Sequence, residues 1–419
     1  MGFTKATSDY LDSGGIIKWI TTPKTADFTA ISKQGYFVNT TSAAITVTLP
    51  SSPNDGDEVS IVDYAGTADT NNITITSSDN INGVSDDHLI NYERGGVSMV
   101  YVDATQGWIA YNAANETATA LPIEIPPFTV DYLVVAGGGG GSEGGGGAGG
   151  LRTSYGSISG GGTSAESSLT LTAATNYTVT VGSGGSGGNS TSSGAEAGTN
   201  GSNSVFSTIT STGGGFGGGS VPSSFNGSDG GSGGGGRRDG GSSGGSAVTS
   251  PVVQGYNGGT TTVGAWRGAA GGGGANQIGQ PGTGNGASSG ENGGDGGAGL
   301  EVNIIGGTGN YYAGGGGGGV EGTGGIGTGG TGGGGNGGGK DLESPTSGTA
   351  NTGGGGGGTS KNASNAGGGG SGVVILRYPS AYTITETTSP SVLTFTTATD
   401  GSDKVTTFTA GENGTIQFS

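Results

Sequence analysis

The chain has 419 residues, no cysteine and a formal net charge of −18. This excludes disulfides and thiolate metal sites, and it disfavours nucleic acid and anionic membrane surfaces, which attract Lys and Arg. The opening MGFTKATSDYLDSGG lacks the apolar core of a signal peptide, and no apolar run nears the roughly 20 residues that span a bilayer, so a soluble protein without membrane insertion is expected.

The first 130 residues read as β. AITVTLP (Ala44–Pro50), EVSIVDY (Glu58–Tyr64), NITIT (Asn72–Thr76), VSMVYVD (Val97–Asp103) and GWIAYN (Gly107–Asn112) alternate or run apolar over strand lengths, with turn residues between them. A turn or two of helix is expected near Asp9–Ile20. LPIEIPP (Leu121–Pro127) reads as a stiff connector, because each proline fixes φ and removes a donor.

Residues 131–380 hold 93 of the 106 glycines. Strand-like pieces punctuate the zone: DYLVVA, SLTLTAATNYTVTVG (Ser168–Gly182), SVFSTITSTGG (Ser204–Gly214), LEVNII (Leu300–Ile305) and SGVVILRYP (Ser371–Pro379). The tail, SVLTFTTATDGSDKVTTFTAGENGTIQFS, reads as a three-strand meander with turns at DGSD and GENG.

The glycines come in blocks without a strict G-X-Y period, which rules out collagen. A flexible linker would not be bounded by DYLVVA and GVVILRYP. GGDGGAGLE (Gly293–Glu301) is the nearest approach to a calcium-binding glycine repeat and fails its pattern. Packed polyglycine II fits. This helix has three residues per turn and no internal hydrogen bonds, so its N–H and C=O groups point sideways at neighbouring helices. Ordering a glycine costs about 0.5–1 kcal/mol more than ordering alanine, and a backbone bond returns a net of about 0.5–1.5 kcal/mol. Such a segment is therefore either almost wholly bonded or wholly disordered, and the ordered form is expected.

The chemistry-bearing motifs are weak. Gly322–Gly327 fits GxGxxG and Gly184–Gly188 fits GxSxG, but both are chance patterns in a glycine-rich segment and lack the strand–turn–helix context of real sites. His88 is the only histidine, in a turn-rich stretch beside Asp86 and Asp87. No catalytic residue, metal site or cofactor is expected. Side chains that interrupt the glycine runs are better candidates: Phe216, Phe225, Tyr256, Trp266, Tyr311 and Tyr312, with Arg237, Arg238 and Arg267. If the runs are rods, these interruptions are their turns. Aromatic faces and guanidinium forks on a rigid support suit sugars or protein loops. Trp266 with Arg267 is the leading pair. Trp19 and Trp108 read as core or subunit-interface residues.

DYLVVAGGGGG, YTVTVGSGG, SVFSTITSTGGG and GGGGSGVVILRYP together resemble the glycine-rich domain of tail-fibre and adhesin proteins of tailed phages, especially marine ones. The N-terminal TADFTAISKQGYFVNTTSAAITVTLPSSPNDGDEVSIVDYAGTADTNNITI, with VYVDATQGWIAY, is similar to a β-domain in fibre proteins of cyanobacterial phages. The resemblance implies a non-enzymatic virion surface protein, made in the host cytoplasm and extracellular after lysis. It implies a homotrimer that contacts other tail or capsid proteins through its N-terminal region, and a host surface glycan or outer-membrane protein through glycine-domain loops. A head-fibre decoration protein and an envelope glycan depolymerase are the alternatives. The expected architecture is all-β: an attachment segment (1–25), a β-sandwich-like trimerisation domain (26–120), a Pro-rich linker (121–130), a polyglycine II sandwich with flanking strands (131–380) and a C-terminal β-meander (381–419).

Overall fold

The computed structural model describes residues 17–114, 127–220, 225–238, 241–261, 267–284, 291–339 and 341–419. Within them the chain is all-β, with one 3-10 turn at Gly160–Gly162 and no α-helix. No helix among the described residues is long and apolar enough to cross a membrane. The chain divides into two compact units, residues 1–125 and 126–419. Residues 9–16 of the expected helical turn, and 121–126 of the proline connector, lie outside the described residues; residues 18–20 of the former begin a strand instead.

The first unit contains β1 (Lys18–Lys24), β2 (Phe28–Thr29), β3 (Gln34–Val38), β4 (Ile45–Thr48), β5 (Glu58–Asp63), β6 (Ile73–Thr76), β7 (His88–Ile90), β8 (Gly96–Asp103) and β9 (Gly107–Ala114). They form a five-stranded sheet, β1-β3-β5-β8-β9, and a four-stranded sheet, β2-β4-β6-β7. Up to β6 the chain changes sheet at every strand, so neighbours within each sheet run parallel: β1 with β3 and β5, β2 with β4 and β6. The unit is thus a short parallel coil of two faces, closed by antiparallel β7, β8 and β9. Alternation along each strand sends Val47, Ile61, Ile75, Met99 and Trp108 into one core. Trp108 is fully buried, whereas Trp19 stays 42% exposed, with its ring packed over Gly35 and 5.1 Å from Phe37.

The second unit begins with β10 (Phe128–Val135), β11 (Leu151–Thr153), β12 (Leu169–Leu171), β13 (Tyr177–Thr180), β14 (Ser190–Thr191), β15 (Gly194–Ala195), β16 (Ser204–Phe206) and β17 (Ile209–Ser211). It continues with β18 (Leu300–Glu301), β19 (Tyr311–Tyr312), β20 (Val373–Pro379), β21 (Ile384–Glu386), β22 (Thr394–Asp400), β23 (Asp403–Ala410) and β24 (Gly414–Phe418). One sheet runs β11-β10-β20-β23-β22, with β12 also on β10; another runs β17-β16-β13-β24-β21. Strands β22 and β23 make the first hairpin of the expected C-terminal meander, while β24 crosses to the other sheet and pairs with β13. The C-terminal strands are therefore stitched into both sheets of the glycine-rich unit.

The unbroken apolar run of β10 now has a cause. Val130, Tyr132 and Val134 face the apolar core shared with the second sheet, and Leu133 and Val135 face a second core built with Ala148, Leu151, Leu300 and Ile304. Val374 and Leu376 of β20 join the first core, Val373 and Ile375 the second. Both faces of β10 and β20 are largely buried, so polar alternation is lost along them.

Beyond the sheets lie the glycine runs. Gly144, Gly147 and Gly150 donate backbone hydrogen bonds to Gly218, Gly215 and Thr212; Gly145 and Ala148 donate to Ala270 and Gly273; Gly146 and Gly149 donate to Gly356 and Gly353, all at 2.8–3.0 Å. Every third residue faces the same neighbour, as a three-residue turn requires. The carbonyls of Gly145, Gly146, Gly147 and Ala148 accept from Gly235, Gly316, Gly139 and Ser232. The run 144–150 therefore has six neighbouring runs, which is a polyglycine II lattice around a central rod. A Cβ on Gly145 would stand 2.1 Å from the Gly316 carbonyl oxygen, and one on Gly316 2.1 Å from that of Gly356.

At the lattice edge, side chains replace missing backbone acceptors. The tetrapeptides Asn200–Asn203, Asn226–Asp229, Asn257–Thr260 and Asn292–Asp295 share the pattern N-G-x-[DNT]. The first and fourth side chains of each accept N–H groups three residues apart on the adjoining run. The pairs are Phe216 and Gly213, Ser243 and Ser246, Ala247 and Gly244, and Gly325 and Thr328, at 2.6–3.2 Å.

Two substitutions separate lattice interior from edge. Gly316→Ala should collapse the thermal transition or prevent folding. Gly368→Ala, whose nearest contact would be 3.3 Å from the Gly185 carbonyl oxygen, should melt within a few degrees of the parent. Equal melting of the two would contradict the lattice. Asn292→Ala should cost about 0.5–1.5 kcal/mol in denaturant unfolding, the worth of one hydrogen bond.

Candidate functional site

The rods have two ends. One abuts the sheets near Ala136, Gly150 and Gly372; the other terminates in turns away from them. Ser142 and Glu143 form such a far turn, where the N–H of Ser142 donates to the Gly144 carbonyl. The Glu143 side chain is completely buried. Its Oε1 accepts from the Ser220 hydroxyl at 2.5 Å and the Ala195 N–H at 3.3 Å, and lies 3.3 Å from an Arg238 guanidinium nitrogen. Arg238 also pairs with Glu321 at 3.0 Å, and Glu321 with Lys361 at 2.8 Å. This chain of alternating charge, Glu143–Arg238–Glu321–Lys361, ties four separate far-end segments together. Burial makes its inner links strong constraints, because an unpartnered charge there is costly.

Beside it, the Arg237 guanidinium stacks 4.0 Å above the Phe225 ring and donates to the Ser220 hydroxyl at 3.3 Å. Phe225 remains 46% exposed. Arg267 has φ +111°, a strained conformation for a side-chain-bearing residue, and its Nε lies 3.7 Å from the fully buried Glu291 carboxylate. The Arg267 N–H reaches the Arg238 carbonyl, and the Glu321 N–H the Arg267 carbonyl, so these turns adjoin.

The structure thus brings Phe225, Arg237, Arg238 and Arg267 to one end. Trp266 lies outside the described residues. Tyr256, Tyr311 and Tyr312 sit at the opposite, sheet-proximal end: the Tyr256 N–H bonds the Gly274 carbonyl, and Tyr311 and Tyr312 form β19 against β18. Two candidates have almost no outward surface. Arg238 is 5% exposed because it is consumed by Glu143 and Glu321, and Tyr312 is 7% exposed because its ring belongs to the second core. Tyr311, 40% exposed, lines a cleft. Glu143 escaped the sequence reading, although SEGGGG placed a lone charge inside a glycine run, where only a turn can carry one.

The weak motifs have no site geometry. The backbone of 184–188 is bonded into the lattice, Gly185 and Gly188 donating to Gly138 and Gly141. His88 lies on β7, and no group of three potential metal ligands exists among the described residues.

Residues 115–379 match the family model described as a glycine-rich domain. The chain belongs to this glycine-rich domain family. No curated protein matches it. The family match ends at the last residue of β20, so β21–β24, which complete both sheets of the glycine-rich domain here, lie beyond it.

Arg238→Ala should destabilise the fold by roughly 3–5 kcal/mol, since it strands the fully buried Glu143 carboxylate. Lys361→Ala, which removes a 41%-exposed partner, should cost less than about 1 kcal/mol. Similar losses in chemical unfolding would show that the inner pair is not the constraint. Glu301 titrates below the ordinary glutamate value because the Gly309 N–H and the Asn303 amide hold its carboxylate. The support it gives the β18–β19 hairpin is therefore complete above the unfolded value and lost as pH falls through the lower folded one. The amide resonance of Gly309 should report a midpoint below that of an unperturbed glutamate.

Proposed function

We propose that the chain is a tail-fibre subunit of a tailed-phage virion that makes host contact through far-end turns of its glycine-rich domain. The supporting observation is the far end itself. The lattice excludes side chains from its interior, the buried Glu143–Arg238–Glu321 chain fixes the turns, and the Phe225–Arg237 stack remains on the surface. A rigid aromatic–guanidinium pair recognises sugars or protein loops with little ordering cost. Arg267 is held by Glu291, so Phe225 and Trp266 are the better targets for substitution.

In this reading the subunit is a homotrimer associating through residues 26–112. Trp19, just before them, and Tyr111 leave large apolar surface on the five-stranded sheet, 42% and 55% exposed, and closed symmetry would cover such faces and edges. The neighbours in the virion are tail or capsid proteins met through the N-terminal region, and the subunit carries out no catalysis.

Particles carrying Phe225→Ala and Trp266→Ala should adsorb to host cells at least about tenfold more slowly, a loss equivalent to about 1.4 kcal/mol, with fibres still visible by immuno-electron microscopy. Normal adsorption would exclude this end as the contact. The full chain should sediment as a trimer at micromolar concentration, and a monomer would remove the assembly proposal.

A further inference from the structure

At the sheet-proximal end, the loop after β11 and the β18–β19 hairpin enclose a cleft of about 430 Å³. This is at the small end of the roughly 300–1,000 Å³ range of small-molecule sites. Its walls include Tyr155, Ile158 and Tyr311, and its polar groups include Ser157, Asn276, Glu301 and Asn303. Ile158 and Tyr311 are 43% and 40% exposed, so apolar faces are open to a ligand, while buried Leu300 and Val302 form the floor.

The polar groups are already oriented. Glu301 Oε1 accepts from the Gly309 N–H at 2.7 Å and the Asn303 amide at 3.0 Å. The Tyr311 hydroxyl bonds the same carboxylate, which raises the tyrosine's pKa and keeps the phenol protonated. Asn310 donates to Asn303 Oδ1 at 3.1 Å, closing the loop beneath the hairpin. Leu300 is paired with Tyr312 across the hairpin, and both rest in the second core. The cleft is therefore built before any ligand arrives. The side-chain amide of Asn276, exposed at the rim, makes no hydrogen bond to the described chain.

Its charge selects among ligands. Glu301 contributes a fixed negative charge. The Arg377 guanidinium lies 5.9 Å from the Tyr155 ring but is held by Asp400 at 2.8 Å and Asp403 at 2.9 Å. Among the described residues no lysine or arginine lines the cleft to bind a phosphate, a sulfate or an acidic sugar. An aromatic and aliphatic wall, a carboxylate acceptor and an amide that both donates and accepts complement a ring with C–H faces and equatorial hydroxyls.

We propose that this cleft binds a neutral pyranose unit of a glycan, with Tyr311 and Ile158 against the ring face and Asn276 and Glu301 on its hydroxyls. The site is separate from the far-end turns, and its occupancy does not depend on where the subunit sits in a virion.

Saturation-transfer NMR on the full chain tests it, with the methyl pyranosides of glucose, galactose, mannose and rhamnose as probes and N-acetylneuraminic acid as the anionic control. At least one neutral probe should show transfer from the protein at millimolar concentration, and the acidic sugar none. Tyr311→Ala and Asn276→Ala should each weaken that probe by about tenfold or more, the equivalent of about 1.4 kcal/mol, while Tyr311→Phe retains most of the signal. If Tyr311→Ala lowers the melting temperature, Asn276→Ala decides, because its side chain supports nothing else. Transfer to none of the neutral probes, transfer that survives Asn276→Ala unchanged, or preference for the acidic sugar would each overturn the proposal. Adsorption by the Phe225 and Trp266 variants is a separate readout, so failure at one end is not failure at the other.

Discussion

The second unit depends on one constraint: in a polyglycine II lattice a backbone carbonyl stands where a Cβ would be. Around Gly144–Gly150 the clearance to a neighbouring oxygen is about that of a covalent bond plus a fraction, 2.1 Å at Gly145 and 2.2 Å at Gly144. Glycine has the highest conformational entropy to lose, so the segment is stable only because almost every N–H and C=O finds a partner. Three donors and three acceptors per turn, pointing in six directions, turn a sequence without side chains into a rigid body. The sheets are the abutment. β10 and β20 lead directly into and out of the lattice, and the second core seals the boundary with Leu151, Ile304 and Ala313.

The same constraint sorts the side chains. None larger than a methyl fits the interior of the central rod. Asparagine, aspartate and threonine go to the lattice edge, where their oxygens stand in for carbonyls of a rod that is not there. Charges and rings go to the ends. That is why the Glu143–Arg238–Glu321–Lys361 chain and the Phe225–Arg237 stack gather at one end, and Tyr155, Glu301 and Tyr311 at the other. Recognition chemistry in such a domain is confined to its ends by packing, and it is presented there on unusually stiff supports.

Much of this was legible from the residues. Blocks of glycine bounded by DYLVVA and GVVILRYP could only be a bonded lattice or disorder, and the strands at Ile73–Thr76 and Ile209–Ser211 follow period-two patterning. The parallel coil of the first unit was not legible, because alternation fixes which side chains face inward but says nothing of which strand lies alongside. KWITTPK, with two lysines, a proline and little apolar alternation, hid β1 for the same reason that it suits an edge. The three-residue spacing of N-G-x-[DNT] was present in the sequence, but it acquires meaning only beside donors spaced by three on the next rod. That Tyr256 and Tyr311 lie at the other end from Phe225 was not legible, because successive turns of a rod lattice alternate between its two ends, and sequence position alone does not say which end a turn occupies.

Hydrogen exchange of glycine-labelled full-length chain tests the lattice most directly. If the rods are bonded on all sides, the amides of residues 144–150, 314–319 and 353–358 will exchange far more slowly than Gly307 and Gly401, which have open space around them. Exchange of those central runs at the rate of the exposed turn glycines would contradict the lattice, and with it the account of how side chains are driven to the ends.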